Sequence, residues 1–268
     1  MKQAIPVIIL IILITGCSAV PAYIPPNQGV LPEQDVSFAA NESAANEPEI
    51  ESDIEPEIEA LVDTRPMIAL TFDDGPSHHT NRILDVLERY GARATFFVVG
   101  YNVEEWQDTV RRTISLGSEV ANHTWNHPGL TNISNQRIRE ELRTTSAIIE
   151  QVSGFPPPPF FRPPFGLTDR RVAGVSAELG YAIITWTLDT RDWEVRNADA
   201  VYNIIMNRAK EGSIILMHDT HITTAAAMER VIPELIARGY QLVTVSELLH
   251  HLYGELEPGR IYGTYAFF

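Results

Sequence analysis

Two groups of side chains in this chain have the types and spacing needed to hold a metal ion. Asp73 and Asp74 end an apolar run, where adjacent carboxylates are costly to bury unless a cation or hydrogen bonds compensate. His123 and His127 stand four positions apart, which predicts one side of a helical turn and chelation of one ion. Two imidazoles and a carboxylate with open positions suit a hydrolytic Zn²⁺ site, and Mn, Co or Fe also fit these donors.

Three further polar clusters follow apolar runs, and each is a weak signal alone. The clusters are Phe161-Arg162-Pro163-Pro164-Phe165-Gly166, Asp189-Thr190-Arg191-Asp192-Trp193 and Leu216-Met217-His218-Asp219. The prolines make a stiff turn that could aim a backbone N–H, and Arg162 could pair with a carboxylate. Each cluster also has a purely structural interpretation: the first could be a rigid connection, the second a structural Asp-Trp pair, and the third a histidine with an ordinary hydrogen bond. For Asp73-Asp74, the structural alternative is an Asp-Gly-Pro turn. We expect Asp219 to cap the next helix.

Alternating strand-like and helix-like segments must position these clusters. Apolar runs predict strands at 67–72, 94–99, 119–122, 160–161, 181–187, 213–217 and 241–245. Helical periodicity predicts helices at 80–90, 103–116, 134–152 (with Ser134 as N-cap), 168–179, 197–210, 223–238 and 245–252. Repeated strand–helix units imply a parallel sheet with helices outside. About seven units favour a barrel over an open sheet, and in either the functional loops follow the carboxyl ends of the strands.

Composition excludes several classes of protein. The 268 residues include 35 acidic and 20 basic side chains, with net charge −15, 44% hydrophobic residues and one cysteine. The charge argues against a nucleic-acid binder, the lone cysteine excludes a disulfide framework, and the apolar share excludes a wholly disordered chain. Eleven acidic residues and no Lys or Arg fall within 18–64, so residues 65–268 carry a net charge of only −5.

The first 64 residues predict an export signal and a tether. The apolar run 4–14 would span only about half of a roughly 30 Å hydrocarbon core, which indicates a signal peptide over 1–17. Its end, Ile14-Thr15-Gly16-Cys17, resembles the bacterial lipobox, which implies that Cys17 is lipidated and anchors the chain to a membrane. An ordinary secretory signal is the alternative. The acidic, proline-rich segment 18–64 is typical of a disordered tether.

The order of the motifs TFDDGP, HTWNH, RPPFG, DTRDW and LMH resembles the five-motif pattern of the NodB-homology polysaccharide deacetylases, carbohydrate esterase family 4. The resemblance runs from about Pro66 to Leu249. It implies an α/β fold, a distorted, incomplete (β/α) barrel of about seven strands, in a deacetylase domain at 65–252. It also implies metal-dependent hydrolysis of an N-acetyl amide on a sugar. The tail at 253–268 has no predicted placement.

The resemblance also implies a role for each site residue. Asp74, His123 and His127 would bind one divalent metal ion, with Zn preferred and Co, Mn or Fe possible. The remaining roles are Asp73 as base with Arg162 as its partner, His218 as acid oriented by Asp192, the Phe165 N–H as oxyanion donor, and Trp193 and Leu216 as walls of the acetyl pocket. Family members often have Tyr at position 165, but a backbone donor does not depend on that hydroxyl. A bell-shaped pH–rate profile is expected.

The expected substrate is the N-acetylglucosamine (GlcNAc) of a cell-wall polysaccharide, most simply peptidoglycan, acted on by a surface lipoprotein facing the wall. Alternatives are a chitooligosaccharide or N-acetylmuramic acid (MurNAc) deacetylase, a xylan acetyl esterase, or a catalytically silent glycan-binding lipoprotein. We expect the chain to attach to the membrane through its lipid anchor, and we infer no nucleic-acid or protein partner. Five histidines match no motif and have no predicted role: His78, His79, His221, His250 and His251.

Overall fold

The computed structural model describes residues 63–263. The predicted signal peptide with Cys17, all but the last two residues of the predicted tether, and residues 264–268 lie outside the described residues. Within 63–263, no helix is long and apolar enough to cross a membrane.

The strands of the described residues form one parallel sheet. They are β1 (Met67–Asp73), β2 (Thr95–Val98), β3 (Glu119–Asn122), β4 (Phe160–Phe161), β5 (Ala182–Ile184), β6 (Leu188–Asp189), β7 (Ile214–His218), β8 (Gln241–Val243) and β9 (Ile261–Tyr262). Their order is β6-β7-β1-β2-β3-β4-β5-β9, with β8 added beside β1. The sheet curls into a half-barrel, which confirms the predicted incomplete barrel. The two strands beyond the predicted seven, β6 and β9, have two residues each, too few for a hydrophobic pattern to show.

The helices follow the strands and cover the outside of the sheet. They are α1 (Thr80–Tyr90), α2 (Gly100–Glu105), α3 (Gln107–Ser115), α4 (Asn135–Ser153), α5 (Arg170–Glu178), α6 (Asp192–Val195), α7 (Ala198–Arg208), α8 (Ile222–Ala237) and α9 (Val245–Tyr253). The prediction of one helix over 103–116 was wrong, because the non-helical backbone of Trp106 separates α2 from α3. The Ser134 cap of α4 is confirmed, since its side chain accepts the N–H of Arg137 at 3.2 Å.

Alternation along β1 divides the core and aims one carboxylate inward. Leu70 and Phe72 pack against the covering helices, whereas Ala69 packs with residues of the barrel interior. Because successive side chains of a strand point to opposite faces, Thr71 and Asp73 share the interior side with Ala69. The last residue of β1 therefore places a carboxylate inside the barrel, at the carboxyl end of the sheet.

The segment after α9, which has no predicted placement, adds a strand to the sheet. Ile261 and Tyr262 pair with Ile183 and Ile184 of β5 in parallel. The Tyr262 side chain is buried, and its hydroxyl accepts the N–H of Glu257 at 2.9 Å. The folded unit thus continues past residue 252, to at least the end of β9.

Candidate active site

The predicted site residues converge at the carboxyl ends of the strands. The parallel register places Asp73 of β1 beside His218 of β7. A cavity of about 470 Å³ opens there, and its lining residues are Asp73, Asp74, His123, His127, Phe165, Trp186, Asp189, Trp193, Arg196, Leu216, His218 and His221. Arg162 and Asp192 lie behind this wall, where they contact Asp73 and His218. The structure therefore brings together all ten residues that the sequence predicts for this domain's site.

Asp74, His123 and His127 form a cluster that could hold a metal ion. The Asp74 Oδ1 atom lies 3.2 Å from His127 Nε2 and 3.5 Å from His123 Nε2. His123 Nδ1 lies 2.7 Å from the carbonyl oxygen of Arg162, which can only accept, so Nδ1 carries the proton. The Nε2 atom of the same ring then faces Asp74.

Asp74 Oδ1 is buried and has no hydrogen-bond partner among the described residues. One carboxylate oxygen and two imidazole nitrogens thus face one position, a set of donors that suits a divalent cation. Burial acts to raise the pKa of Asp74, but the flanking imidazoles outweigh it and hold the pKa below its ordinary range. Burial and then His123 lower the pKa of His127. Both groups therefore favour the protonation states in which they bind metals.

The prediction that His123 and His127 lie on a helical turn was wrong. Residues 123–127 form a loop after β3, in which Thr124 and His127 adopt left-handed backbone with φ of 69° and 56°. Asn122 Oδ1 accepts the N–H of Thr124 at 2.8 Å and turns the chain there. A four-residue spacing brings the two rings together both on a helix and in this loop. The spacing alone therefore does not show which backbone conformation carries the two histidines.

Glu141 of α4 holds this loop from behind, and the sequence analysis did not single it out. Its Oε2 atom accepts the backbone N–H groups of Trp125 and Asn126 at 2.7 and 2.8 Å. Its side chain is 1% exposed and also pairs with Arg137 at 2.7 Å. Its i,i+4 spacing from Arg137 was the available signal in the sequence, but only the position of the loop shows what it binds.

Arg162 and Asp73 form a buried ion pair inside the barrel. Arg162 Nη1 lies 2.6 Å from Asp73 Oδ1 and 2.8 Å from the Thr71 hydroxyl, and Nη2 donates to the Thr185 carbonyl at 3.1 Å. The guanidinium stacks 4.0 Å from the ring centre of Phe97. Burial lowers the pKa of Arg162, and Asp73 opposes that shift. The pair holds the Asp73 carboxylate in place at the floor of the cavity.

His218 and Asp192 form a second pair on the other side of the cavity. Asp192 Oδ1 lies 2.8 Å from His218 Nδ1, and Asp192 Oδ2 accepts the His218 N–H at 2.7 Å and the Thr224 hydroxyl at 2.6 Å. Burial acts to lower the pKa of His218, but Asp192 outweighs it and raises the pKa to about 9. His218 therefore carries a proton at neutral pH and directs Nε2 away from Asp192.

Phe165, Trp193 and Leu216 surround the space between these groups. Phe165 adopts left-handed backbone with φ of 61°, and no hydrogen bond of its N–H is found within 63–263. Its ring is 60% exposed and lies 4.7 Å from that of His127. Leu216 is buried, whereas Trp193 is half exposed at the mouth. A short apolar wall thus stands beside a free backbone donor.

Backbone strain is concentrated here. Within 63–263, the residues other than glycine with positive φ are Asp74, Thr124, His127, Phe165, Arg191 and Arg196. All six lie in the cavity wall or in the loops that form it. Strained backbone of this kind persists where the surrounding structure determines it, and it is concentrated at functional sites.

Several residues of the site were not predicted. Four residues line the cavity although the sequence analysis gave them no function: Trp186, Asp189, Arg196 and His221. The expectation that Asp219 caps a helix was wrong. The N-cap of α8 is His221, and buried Asp219 instead accepts the Thr80 hydroxyl at 2.5 Å, packed against Gly75.

A curled parallel barrel with this cluster of donors defines a class of carbohydrate-modifying hydrolases. The sequence profile of the polysaccharide deacetylase family matches residues 61–184. A peptidoglycan-N-acetylglucosamine deacetylase of Bacillus cereus is 36% identical, over 69% of this chain and 89% of its own length. The chain belongs to the polysaccharide deacetylase family.

Two further relatives define the extent of the similarity. The peptidoglycan-N-acetylglucosamine deacetylase PgdA of Listeria monocytogenes is 42% identical over 74% of this chain, but this chain spans only 41% of that protein. The structure of a family 4 acetyl xylan esterase from Clostridium thermocellum, in complex with a cobalt ion, has a TM-score of 0.67 and 35% identity. It matches 73% of this chain and 97% of its own.

Replacing Glu141 by alanine should weaken metal binding, because two backbone N–H groups of the histidine loop would lose their acceptor. We expect Zn²⁺ affinity, measured by calorimetric titration, to fall by about 10- to 100-fold. Glu140→Ala removes the exposed neighbouring carboxylate as the matched control. Equal affinities for the two variants, with unchanged circular dichroism, would contradict the role of Glu141.

Proposed function

We propose that this chain removes N-acetyl groups from GlcNAc residues of peptidoglycan, with one divalent metal ion, as a lipoprotein facing the cell wall. The observation that carries the proposal is the meeting, in one cavity, of the Asp74–His123–His127 cluster with the Arg162-bound Asp73 and a protonated His218. The names of the Bacillus cereus and Listeria monocytogenes relatives support the substrate.

Asp74, His123 and His127 would hold the metal ion, and their nitrogen and oxygen donors suit Zn²⁺ first, with Co, Mn or Fe also compatible. A divalent ion at this position supplies Lewis-acid polarisation of the acetyl carbonyl and eases deprotonation of the attacking water. The tautomer of His123, set by the Arg162 carbonyl, keeps Nε2 available for that purpose.

Asp73 is the base in this scheme. Arg162 holds its carboxylate at 2.6 Å, in a position to take a proton from the water as the water oxygen bonds to the carbonyl carbon. The negative charge that develops on the acetyl oxygen needs a donor. The free N–H of Phe165, aimed by the strained turn after β4, can provide one, a contribution that is typically worth about 10²- to 10³-fold in rate.

His218 is the acid. The carbon–nitrogen bond breaks as His218 transfers its proton to the sugar nitrogen, and acetate and a free amine are released. Asp192 fixes the ring and favours its charged form, so that the proton is present when the amine leaves. Leu216 and Trp193 form an apolar wall that fits the acetyl methyl group.

The lipid anchor and the location of the chain rest on the sequence at its N-terminus. A short apolar run followed by Ile14-Thr15-Gly16-Cys17 supports export and lipidation at Cys17, and the acidic segment 18–64 would allow the domain to reach the wall.

Mass spectrometry of reaction products tests the activity. The purified protein should convert muropeptides to products in which one acetyl group is replaced by hydrogen. EDTA and Asp73→Asn should each lower acetate release by roughly 10²-fold or more, because each removes part of the water-activating machinery.

Asp85→Asn, an exposed carboxylate of α1, is the matched control and should act like the wild type. Acetate release that survives both EDTA and Asp73→Asn would refute the enzyme hypothesis. Products from chitin oligomers or acetylated xylan, with none from muropeptides, would instead identify one of the alternative substrates.

The Asp192–His218 pair predicts the basic limb of the pH–rate profile. His218 loses its proton as pH rises through about 9, so activity should fall there. Asp192→Asn removes the largest opposition to burial and leaves only the weaker effects of Asp73 and Asp74. The basic limb should therefore move to lower pH, and kcat should drop by roughly 10²-fold or more. Glu194→Gln, an exposed change on the same helix, is the control. If the basic limb of the pH–rate profile did not shift in Asp192→Asn, a group other than His218 would be responsible for it.

Replacing Cys17 by serine tests the anchor. The wild-type chain should be found in the detergent-soluble membrane fraction and should incorporate labelled fatty acid, since lipidation needs the cysteine thiol. Cys17→Ser should lose the label and leave the membrane. Wild-type protein without label would favour an ordinary secretory signal.

A further inference from the structure

The cavity has a cationic rim that the proposed chemistry does not use. Arg196 and His221 both line the cavity, and neither takes part in the proton transfers described above. Arg196 is exposed, and His221 is partly buried. Within 63–263, no carboxylate forms an ion pair with Arg196, whereas Arg191 at the other end of α6 pairs with Glu194.

Arg196 is held in place at two points. It is the C-cap of α6, with left-handed backbone at φ 44°. Its Nε donates to the Trp193 carbonyl at 2.6 Å, and its Nη1 lies 3.0 Å from His221 Nδ1. A long side chain that is already ordered loses less entropy on binding a ligand than a free one does.

The contact with Arg196 also determines the tautomer of His221. A guanidinium can only donate, so Nδ1 of His221 accepts and the ring proton is on Nε2. Burial and then Arg196 lower the pKa of His221, which favours this neutral form. The rim thus offers a guanidinium, whose paired N–H donors match a carboxylate, beside a neutral imidazole that holds it in place.

The position of the rim indicates which part of a substrate it would meet. The ring centres of His221 and His218 are 5.9 Å apart, comparable with the width of one sugar ring. Arg196 contacts His221 at Nδ1, and within 63–263 no hydrogen bond joins it to His218. An anion bound at Arg196 would therefore come from a neighbouring substituent and not from the acetamide that reacts at His218.

We propose that Arg196, supported by His221, binds a carboxylate carried by the muramyl residue next to the reacting GlcNAc. This inference rests on the proposed function. It makes Arg196 a specificity-determining residue, which favours peptidoglycan over uncharged polymers such as chitin or xylan. The carboxylate has two possible sources with the same chemistry: the lactyl group of a peptide-free glycan strand, and the stem peptide.

Steady-state kinetics on four tetrasaccharides test this inference. The substrates are fully N-acetylated chitotetraose, the peptide-free tetrasaccharide GlcNAc-MurNAc-GlcNAc-MurNAc, the same tetrasaccharide with its lactyl carboxylates converted to methylamides, and the same tetrasaccharide bearing stem peptides. Each is assayed for acetate release with the wild type, Arg196→Gln and Arg196→Lys. Arg191→Gln is the matched control, since Arg191 also flanks α6 but does not line the cavity.

Arg196→Gln should raise KM by about tenfold on carboxylate-bearing substrates and change kcat by less than about twofold. Chitotetraose and the methylamide should be unaffected, and Arg196→Lys should recover part of the loss. A KM effect on the peptide-free strand identifies the lactyl carboxylate, and an effect confined to the peptide-bearing compound identifies the stem peptide.

An equal loss on all four substrates would overturn the inference, because it would show that Arg196 only supports the fold of the cavity. So would unchanged kinetics on both carboxylate-bearing compounds. Either result leaves the proposed function intact as long as the wild type releases acetate. A wild type that releases acetate from none of the four refutes the proposed function itself, and the inference with it.

Discussion

The Arg162 guanidinium and the Asp73 carboxylate meet 2.6 Å apart in the interior of the barrel. Each would be costly to bury alone. The two Nη atoms of the guanidinium bond to Asp73, the Thr71 hydroxyl and the Thr185 carbonyl, and its face packs on Phe97, which offsets part of the cost of burial. The pair spans the barrel from β1 to the segment after β4. It thereby fixes the end of β1, from which Asp74 turns toward the metal cluster.

Buried hydrogen-bond acceptors also position other parts of the cavity: they lie behind His218, His123 and the loop that carries His127. Asp192 orients His218, the Arg162 carbonyl orients His123, and Glu141 holds the loop that carries His127. Glu141 also accepts two backbone N–H groups of the loop, in place of hydrogen bonds that a regular helix or strand would have supplied. Precise donor geometry is thus obtained from irregular loops.

Much of the fold could be predicted from the sequence, and the exceptions have physical reasons. Long periodic segments such as α1 and α4 were placed to within a residue, because their apolar faces repeat over several turns. The four-residue α6 and the two-residue β9 were missed, since neither is long enough to show a period. The helical turn expected for His123 and His127 was wrong because Asn122 and Glu141 supply bonds from outside the loop.

The sequence by itself determined which functional groups are available and in what order they occur, because five motifs in one order leave few families to consider. Their convergence was decided only by the tertiary structure. Parallel strands bring Asp73 beside His218, which are separated by 145 positions in the chain. The tertiary structure also determines the orientation of His123 and the tautomer of His221. His123 is oriented by the Arg162 carbonyl and His221 by the Arg196 guanidinium, and no local sequence pattern encodes the position of either group.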